Sequence, residues 1–576
     1  MRALSRNYPG ISQTAMTRLL HVLIMGLLTY QHFPQWLLGT AWLCLTAVIM
    51  FSPVAQLRTV YFFGAIFASA GILHNPYFTL KHYQAAFVLV LTLHALQGTC
   101  LDYLKSGLKA SAPLKPLYLC IATIFISGVL QHNLQDKIFT FLNLLFIIVS
   151  VVYFLGMLTR ERPDAGDLIR YYLLGVILCI FAAMLNTMTG HDWMRLPLIH
   201  NNHMGVQSAF TIFLCFCLLA APAAKSVHLF HYSAAAILFA GILLSCSRTA
   251  YISLFITFFI LLAFAYTSTT FSNAAYRIKL LAIPLTLIPA AYAGMLLTPS
   301  VFARISSFLL DFLNPDAWRW TFADHANFGF FGKFRLHQIH ELRDILQSHF
   351  FLGAGFIQQT LDFHGLYFVL LGSGGIVGLS LFLYFIARMV MPHFGKPSPN
   401  LPAVDAAAHS ATIFALISWS ICSLTETFFF QFSIWIIILS SVWLSHPNYG
   451  PRSYPDKVFL SSAIQPVKQA SQPRVVIAVW LLITLLLPVT YNFLMSKDKC
   501  HAGISFELAV QMRGAEPKSV TADFYTEEEL MREKQLCGSM DARRTREGKL
   551  LTSITFANLF FLFLYLFMRE KRSLKN

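Results

Sequence analysis

The feature that most constrains this chain is a succession of apolar segments, each long enough to cross a lipid bilayer. About 20 consecutive apolar residues span the hydrocarbon core, and water-soluble domains do not carry such runs one after another. Hydrophobic residues make up 56% of the 576 positions, charged residues 12%, and the mean hydropathy is +0.61. We therefore expect an all-α polytopic membrane protein whose first span stays in the mature chain. Counting the runs predicts about 16 transmembrane helices, centred roughly at residues 25, 44, 65, 92, 124, 148, 179, 213, 237, 258, 287, 378, 416, 437, 485 and 560.

Basic residues are scattered in ones to threes at the ends of these segments. The net charge is +16, but there is no basic stripe or cluster of the kind that binds nucleic acid. We expect no nucleic-acid partner and interpret the charges as anchors at the membrane surface. The positions of the basic loops predict that both termini lie in the cytoplasm. The outer side then holds the loop from His191 to His203, the turn SCSRTAY from Ser245 to Tyr251, a long insertion, and Glu426.

The insertion, residues 298–363, is a polar stretch of roughly 65 residues between two spans, which is longer than most connections between packed elements. Its many aromatic residues argue against disorder. Within it, GKFRLHQIHELRDILQSHFFLGAGF has apolar residues on one helical face. This pattern predicts an amphipathic helix that lies on the membrane surface or caps the bundle. His337, His340 and His349 on this helix lack a carboxylate or Cys to complete a ligand set, so we expect no metal and no other cofactor.

The composition also predicts how the chain is divided. We expect a membrane-embedded catalytic bundle over residues 1–444 and a Pro-, Ser- and Lys-rich cytoplasmic linker over 445–474. Residues 475–576 would form accessory spans around a small hydrophilic domain at 496–549. The span count puts this domain on the outer side, where Cys500 and Cys537 can form a disulfide. Arg543, Arg544, Arg546 and Lys549, directly before the last span, favour the reverse orientation.

Two arginines on the outer side are candidates for anion binding. Arg248 lies in SCSRTAYISLFITFF at the outer start of an apolar helix, where lipid cannot solvate a guanidinium group. By itself it either snorkels to lipid headgroups or faces an anion, and the residue alone does not decide. Arg195 is on the same side, in GHDWMRLPLIHNNHMG, followed by Asn201, Asn202 and His203. Two arginines that face one cavity suit a diphosphate, whose oxygens accept bidentate hydrogen bonds.

His364 lies where the insertion re-enters the membrane, in DFHGLYFVLLGSGGIVGL. The glycines that follow it let neighbouring helices pack closely and would fix the position of the histidine. A lone histidine at the end of a span is more often structural than catalytic, so this residue alone assigns no role.

The order of these motifs resembles the bacterial O-antigen ligase and polymerase superfamily. From about Arg195 to Leu383 the chain has SRTA at the outer end of a span, a large outer loop, a helix closing in Gly-x-Gly, and His-x-x-Tyr before a Gly-rich span. The resemblance implies glycan transfer from undecaprenyl pyrophosphate at the periplasmic face of the bacterial inner membrane. It assigns pyrophosphate binding to Arg248 and Arg195 and catalysis to His364. Acceptor or loop contacts would come from Asn201, Asn202, His203, Tyr367 and Glu426.

The expected reaction is metal-independent, inverting glycosyl transfer to an acceptor hydroxyl. The partners would be the lipid-linked glycan donor, the surrounding membrane lipids, and an acceptor that is a lipid A core, a growing glycan or a protein such as a pilin. Gly365 and Ser373 stand where the family usually has Asn and Glu, and these differences bear on the acceptor contacts. The alternative is a transporter of a lipid-linked sugar or another amphipathic solute, which the large outer loop and the lack of an internal repeat disfavour.

Overall fold

The structure, a computed structural model, is almost entirely helical in the residues it describes. These are residues 13–29, 74–75, 78–79, 99–131, 134–188, 201–219, 225–245, 247–267, 332–355, 365–394, 403–424 and 432–445, with single positions between 41 and 94. The exception is a short antiparallel pair, His74–Asn75 (β1) and Phe78–Thr79 (β2). The all-α class predicted from the apolar segments is therefore confirmed for the described part of the chain.

Most of the described helices coincide with predicted spans. In chain order they are α1 Gln13–Thr29, α2 Cys100–Ala110, α3 Lys115–Leu130, α4 Leu134–Glu161, α5 Ala165–Met188, α6 Asn201–Leu218, α7 Lys225–Ser245, α8 Arg248–Thr267, α9 Gly332–His349, α10 Leu366–Phe394, α11 Ala403–Cys422 and α12 Phe432–Leu444. Each except α2 and α9 contains a predicted span centre. Six stretches of the described chain are long and apolar enough to cross a membrane: Ala112–Leu130, Ala165–Ala182, Lys225–Ser245, Thr249–Tyr266, Leu366–Phe394 and Val404–Cys422. The predicted spans centred near residues 65, 287, 485 and 560 lie outside the described residues, so the count of about 16 spans stays a prediction.

The chain divides into two compact units. One is Met1–Ala70 with Asp102–Pro466, and the other is Gly71–Leu101 with Val467–Asn576. In the second unit, β1 pairs with β2, and Cys100 Sγ donates to the Leu91 carbonyl at 3.3 Å. The first unit holds α1 and α3 to α12, including every element of the candidate site. The predicted linker beyond residue 445 and the accessory domain lie outside the described residues and stay predictions.

The centre of the first unit is α6, which packs against α7, α8 and α11. All its side chains from Met204 to Leu218 are buried, as expected for a helix that is apolar on every face. Both α6 and α11 carry small buried side chains, including Ser208 on α6 and Ala411 and Ala415 on α11. Small residues let membrane helices approach closely, which accounts for the tight pairing of α6 with α11.

One end of this bundle is held together by polar contacts and is called the basic end. Here α1, α5 and α11 begin and α10 and α12 end. The defining contacts are Arg18 with Asp167 at 2.9 Å, Gly166 beside Val404, the rings of His393 and His409 at 5.0 Å, and Ser445 Oγ with His409 Nε2 at 2.8 Å.

The amphipathic helix predicted inside the insertion is α9. Its residues Leu342 and Ile345 are buried and form one cluster with Ala354 and with Val369 of α10. The apolar face of α9 therefore packs on the bundle. The rest of the insertion, residues 298–331 and 356–363, lies outside the described residues.

Candidate functional site

The start of α8 is capped by the serine of the SRTA motif. Ser247 Oγ accepts a hydrogen bond from the Ala250 backbone N–H at 3.4 Å, and Ser247 N–H donates to Ser245 Oγ at 3.2 Å. A serine at this position satisfies one of the backbone donors that a helix leaves free at its start. The motif therefore reads locally as a helix cap followed by Arg248 as the first helical residue.

The start of α6 meets this same turn. A Cβ at Gly205 would overlap Ser245 Oγ and would lie 2.9 Å from Ser247 Cβ, so only glycine allows the contact. Gly205 is four residues past Asn201, where α6 begins. The first turn of α6, which carries Asn201, Asn202 and His203, is therefore beside the turn that leads into Arg248.

The start of α10 meets the end of α11. Leu366 N–H donates to the Ser423 carbonyl at 2.8 Å, and the Tyr367 hydroxyl donates to the Ser420 carbonyl at 3.0 Å. Gly365 has φ +123°, and a Cβ there would lie 2.7 Å from the Leu424 carbonyl oxygen. Glycine is thus required directly after His364.

The start of α8 and the end of α11 lie at the same level in the bundle, and a buried hydrogen bond between these two helices shows this. Ser253 Oγ of α8 donates to the Ser418 carbonyl of α11 at 2.8 Å and also lies 2.8 Å from Ser418 Oγ. Ser253 is five residues inside α8 and Ser418 is five residues before Ser423, so equal rises of about 7.5 Å bring the start of α8 level with the end of α11. We call this place, where α6, α8 and α10 begin and α11 ends, the candidate-site end.

The candidate-site end combines three helix starts with two helix ends. The starts of α6, α8 and α10 carry partial positive charge, which the partial negative charge at the ends of α7 and α11 offsets in part. Arg248 is the first residue of α8, and a helix start disfavours a cation by about 0.3–1 kcal/mol unless an anion is present. The arrangement is therefore suited to a ligand with several negatively charged oxygens.

The structure covers only some of the residues expected to act. Arg248 is the first residue of α8, Asn201 to His203 open α6, and the Tyr367 hydroxyl is engaged with α11. His364 immediately precedes the described residue Gly365 in the chain. The predicted residues outside the described part are Arg195, His364, Glu426, Cys500 and Cys537. Within the described ranges, no three His, Cys, Asp or Glu residues form a group that could hold a metal ion.

Sequence reasoning missed a break inside α10. Gly375 has φ 60° and ψ −164°, which is not helical, so α10 consists of two half-helices. The sequence GSGG contains the signal, because consecutive glycines weaken a helix, whereas the sequence analysis interprets these glycines only as close-packing positions. Gly374 does pack closely, with its Cβ position 3.0 Å from the Ile124 side chain of α3.

Neither a protein-family model nor a curated protein matches the chain. The case for a function therefore rests on the chemistry of the candidate-site end and on the motif resemblance.

Proposed function

We propose that this chain is a multi-pass protein of the bacterial inner membrane that transfers a glycan from undecaprenyl pyrophosphate to an acceptor hydroxyl at the periplasmic face. The observation that carries the proposal is the meeting of the starts of α6, α8 and α10 at the end of α11. It gathers chain segments that carry the motifs on which the resemblance rests. The Ser253–Ser418 bond and the Leu366–Ser423 bond fix this meeting from two directions.

The electrostatics of the candidate-site end support a pyrophosphate as the bound group. The helix starts and Arg248 provide positive potential in a region whose neighbouring side chains, such as Ser247 and Thr249, are buried. Arg195 is proposed to add positive charge in the same way, since it precedes the first turn of α6 by six residues. Guanidinium groups make two parallel hydrogen bonds to phosphate oxygens and stabilise the charge that develops as the pyrophosphate leaves. Such a site needs no metal ion for this step.

His364 supplies the group that receives the acceptor proton. Its chain neighbour Gly365 is held against Leu424, and Leu366 is bonded to Ser423, so the backbone that leads into α10 is anchored. In the proposed reaction the acceptor oxygen attacks the anomeric carbon of the donor glycan and forms the new glycosidic bond. The bond from that carbon to the pyrophosphate oxygen breaks, and the lipid pyrophosphate leaves with its electron pair. The hydroxyl proton passes to the imidazole of His364, and attack from the side opposite the leaving group inverts the configuration.

The distribution of charge supports an outward-facing site. Arg18 lies at the basic end, opposite the candidate-site end, as does Arg170, which binds Asp167 at 3.0 Å. The positive-inside rule then assigns the basic end to the cytoplasm. Reporter fusions at Ser398 and Pro466 are expected to report the cytoplasm, and a fusion at Ala326 the periplasm. A cytoplasmic Ala326 would contradict the proposed mechanism.

The break in α10 is the feature that bears on the second candidate function, transport of a lipid-linked sugar. Transporters often bind substrates between the ends of discontinuous helices. Here the backbone groups at the break are instead hydrogen-bonded to the chain's own backbone. The N–H groups of Ala354 and Gly355 donate to one half-helix, and the carbonyls of Phe350 and Phe351 accept from the other. A substrate would have to displace these bonds, so we place the substrate at the candidate-site end.

The test is to separate donor binding from turnover at His364. His364→Ala is expected to abolish transfer while the protein stays in the membrane and still binds the lipid-linked donor, because the arginines bind that donor independently. His364→Gln should retain little more activity if proton acceptance is its role. The matched control is His340→Ala, an exposed histidine on α9, which should cost little. Chelators should have no effect.

Immunoblots of glycans from a deletion strain identify the acceptor. Loss of the polymer from lipid A core indicates a ligase, shortening to one repeat a polymerase, and an unmodified pilin-type protein an oligosaccharyltransferase. Full activity of His364→Ala, or strict dependence on an added divalent ion, would overturn the assignment. Unchanged glycans together with accumulation of donor on the cytoplasmic face would support the transporter.

A further inference from the structure

The break in α10 leaves backbone groups that a membrane cannot satisfy. At a helix end the last carbonyls and the first N–H groups have no partner within the helix. At Gly375 both kinds of end occur side by side, in the middle of a stretch from Leu366 to Ala387 that has no Asp, Glu, Lys or Arg. Lipid offers no hydrogen bonds, so another part of the protein must provide them.

The residues that follow α9 provide these hydrogen bonds. Ala354 N–H donates to the Gly372 carbonyl at 2.8 Å, and Gly355 N–H donates to the Ser373 carbonyl at 3.0 Å. In the other direction, the carbonyl of residue 350 accepts from the N–H of residue 376 at 2.9 Å, and that of residue 351 from residue 377 at 3.2 Å. The segment Phe350–Gly355 therefore caps both half-helices.

The end of α3 holds this segment in place. Ser127 Oγ donates to the Gly353 carbonyl at 2.5 Å, and Gln131 Nε2 lies 3.2 Å from His349 Nδ1. A Cβ at Gly355 would lie 2.5 Å from Gly128 Cα, so the two backbones are in direct contact. The segment is thus a built part of the bundle.

The hydrogen bonds to residues 376 and 377 fix the depth of the segment in the membrane. A helix rises 1.5 Å per residue, so residue 376 is about 15 Å from the start of α10. The whole of α10 spans about 43 Å, roughly 13 Å more than the hydrocarbon core. Even if all of this excess extends beyond the membrane at the α9 side, residue 376 still lies about 2 Å inside the hydrocarbon, and an equal division puts it about 9 Å inside.

At this depth the segment shows apolar side chains to its surroundings. Phe350 is 50% exposed, Phe351 70% and Leu352 38%, next to Val377 at 37%. Water would make such a contiguous aromatic surface unfavourable, whereas acyl chains solvate it. The depth of the backbone and the apolar side chains therefore both indicate that the segment is surrounded by acyl chains.

We propose that Phe350, Phe351 and Leu352 form a re-entrant tip that inserts into the acyl chains of the bilayer phospholipids and anchors α9 to the membrane. The tip belongs to the insertion that the sequence alone assigned to the outer side, with its amphipathic helix on the membrane surface or capping the bundle. The proposal requires that α10 crosses the membrane, but it holds for a transferase and for a transporter alike.

The test is photo-crosslinking from the tip to lipid. Full-length protein carrying p-benzoylphenylalanine in place of Phe351 is reconstituted in vesicles of phosphatidylethanolamine and phosphatidylglycerol whose acyl chains are tritiated, and is then irradiated. The probe replaces an exposed aromatic side chain, so the fold should accommodate it. We expect tritium on the protein at several times the level obtained from Gln347, an exposed position on the polar face of α9. The level should approach that from Phe255, a 65% exposed residue of the apolar helix α8.

Two results would overturn the proposal. One is labelling from Phe351 no higher than from Gln347 while Phe255 is labelled. The other is a cross-link from Phe351 to a second copy, to another protein or to a distant part of this chain in place of lipid. If the Phe351 variant does not fold, the same probe at Phe350 gives the same reading, since both side chains project from the tip.

Discussion

Replacing Gly375 with Ala is expected to destabilise the protein strongly, because the added methyl group causes both backbone strain and a clash with neighbouring backbone atoms. At φ 60° and ψ −164°, a conformation used essentially only by glycine, an L side chain is disfavoured by about 1–3 kcal/mol. The new Cβ would also overlap the Phe351 carbonyl and would lie 2.6 Å from Gly353 N. Both neighbours are backbone, so the segment must move and its hydrogen bonds to α10 must lengthen or break.

The size of the second cost follows from what those hydrogen bonds satisfy. Moving the Phe351 carbonyl leaves the N–H of Val377 without its partner at 3.2 Å. A buried backbone group left unsatisfied costs about 1–3 kcal/mol. Together with the backbone strain, Gly375→Ala should cost about 2–6 kcal/mol.

Gly378→Ala is the matched control on the same helix. Its Cβ would meet only the Leu370 carbonyl at 3.6 Å, an ordinary contact, and its φ is not positive. Alanine is favoured over glycine in a helix by about 1 kcal/mol, so this variant should be neutral or slightly more stable. The assay heats each full-length protein in detergent and measures the fraction that remains monodisperse by size exclusion. The reasoning is refuted if Gly375→Ala melts at or above the midpoint of Gly378→Ala.

Three further predictions concern the candidate site and the accessory domain. Tyr367→Phe removes the hydrogen bond to Ser420 and should lower stability by only about 0.6 kcal/mol, so a large loss of transfer in well-folded protein would identify Tyr367 as a positioning residue for His364. Arg248→Lys should lose most activity despite keeping the charge, because lysine cannot make the two-point contact with phosphate oxygens. Near-normal transfer at normal protein levels would indicate instead that Arg248 snorkels to lipid headgroups. Cys500 and Cys537 should form a disulfide that closes a loop of about 36 residues and contributes roughly 3–4 kcal/mol, and free thiols at both positions in protein purified without reductant would contradict an outward-facing domain.

Local pattern alone predicted much of the architecture. The spans around residues 237, 258 and 416 were predicted from consecutive apolar residues, and α7, α8 and α11 lie there. The helix α9 was predicted from the spacing of its apolar positions, and Leu342 and Ile345 on the predicted face are indeed buried. These features could be predicted because the length of an apolar run and the period of a helix depend only on neighbouring residues.

Tertiary structure decided which of these segments meet and where a helix breaks. Ser253 and Ser418 are 165 residues apart in sequence, and only packing brings them within a hydrogen bond and so aligns the starts of α8 and α10 with the end of α11. Likewise, GSGG can occur in a continuous helix, and the positive φ of Gly375 is tolerable because backbone groups after α9 satisfy both half-helix ends. A single sequence specifies such contacts only through the whole fold, since the energy of each depends on partners that the local pattern does not contain.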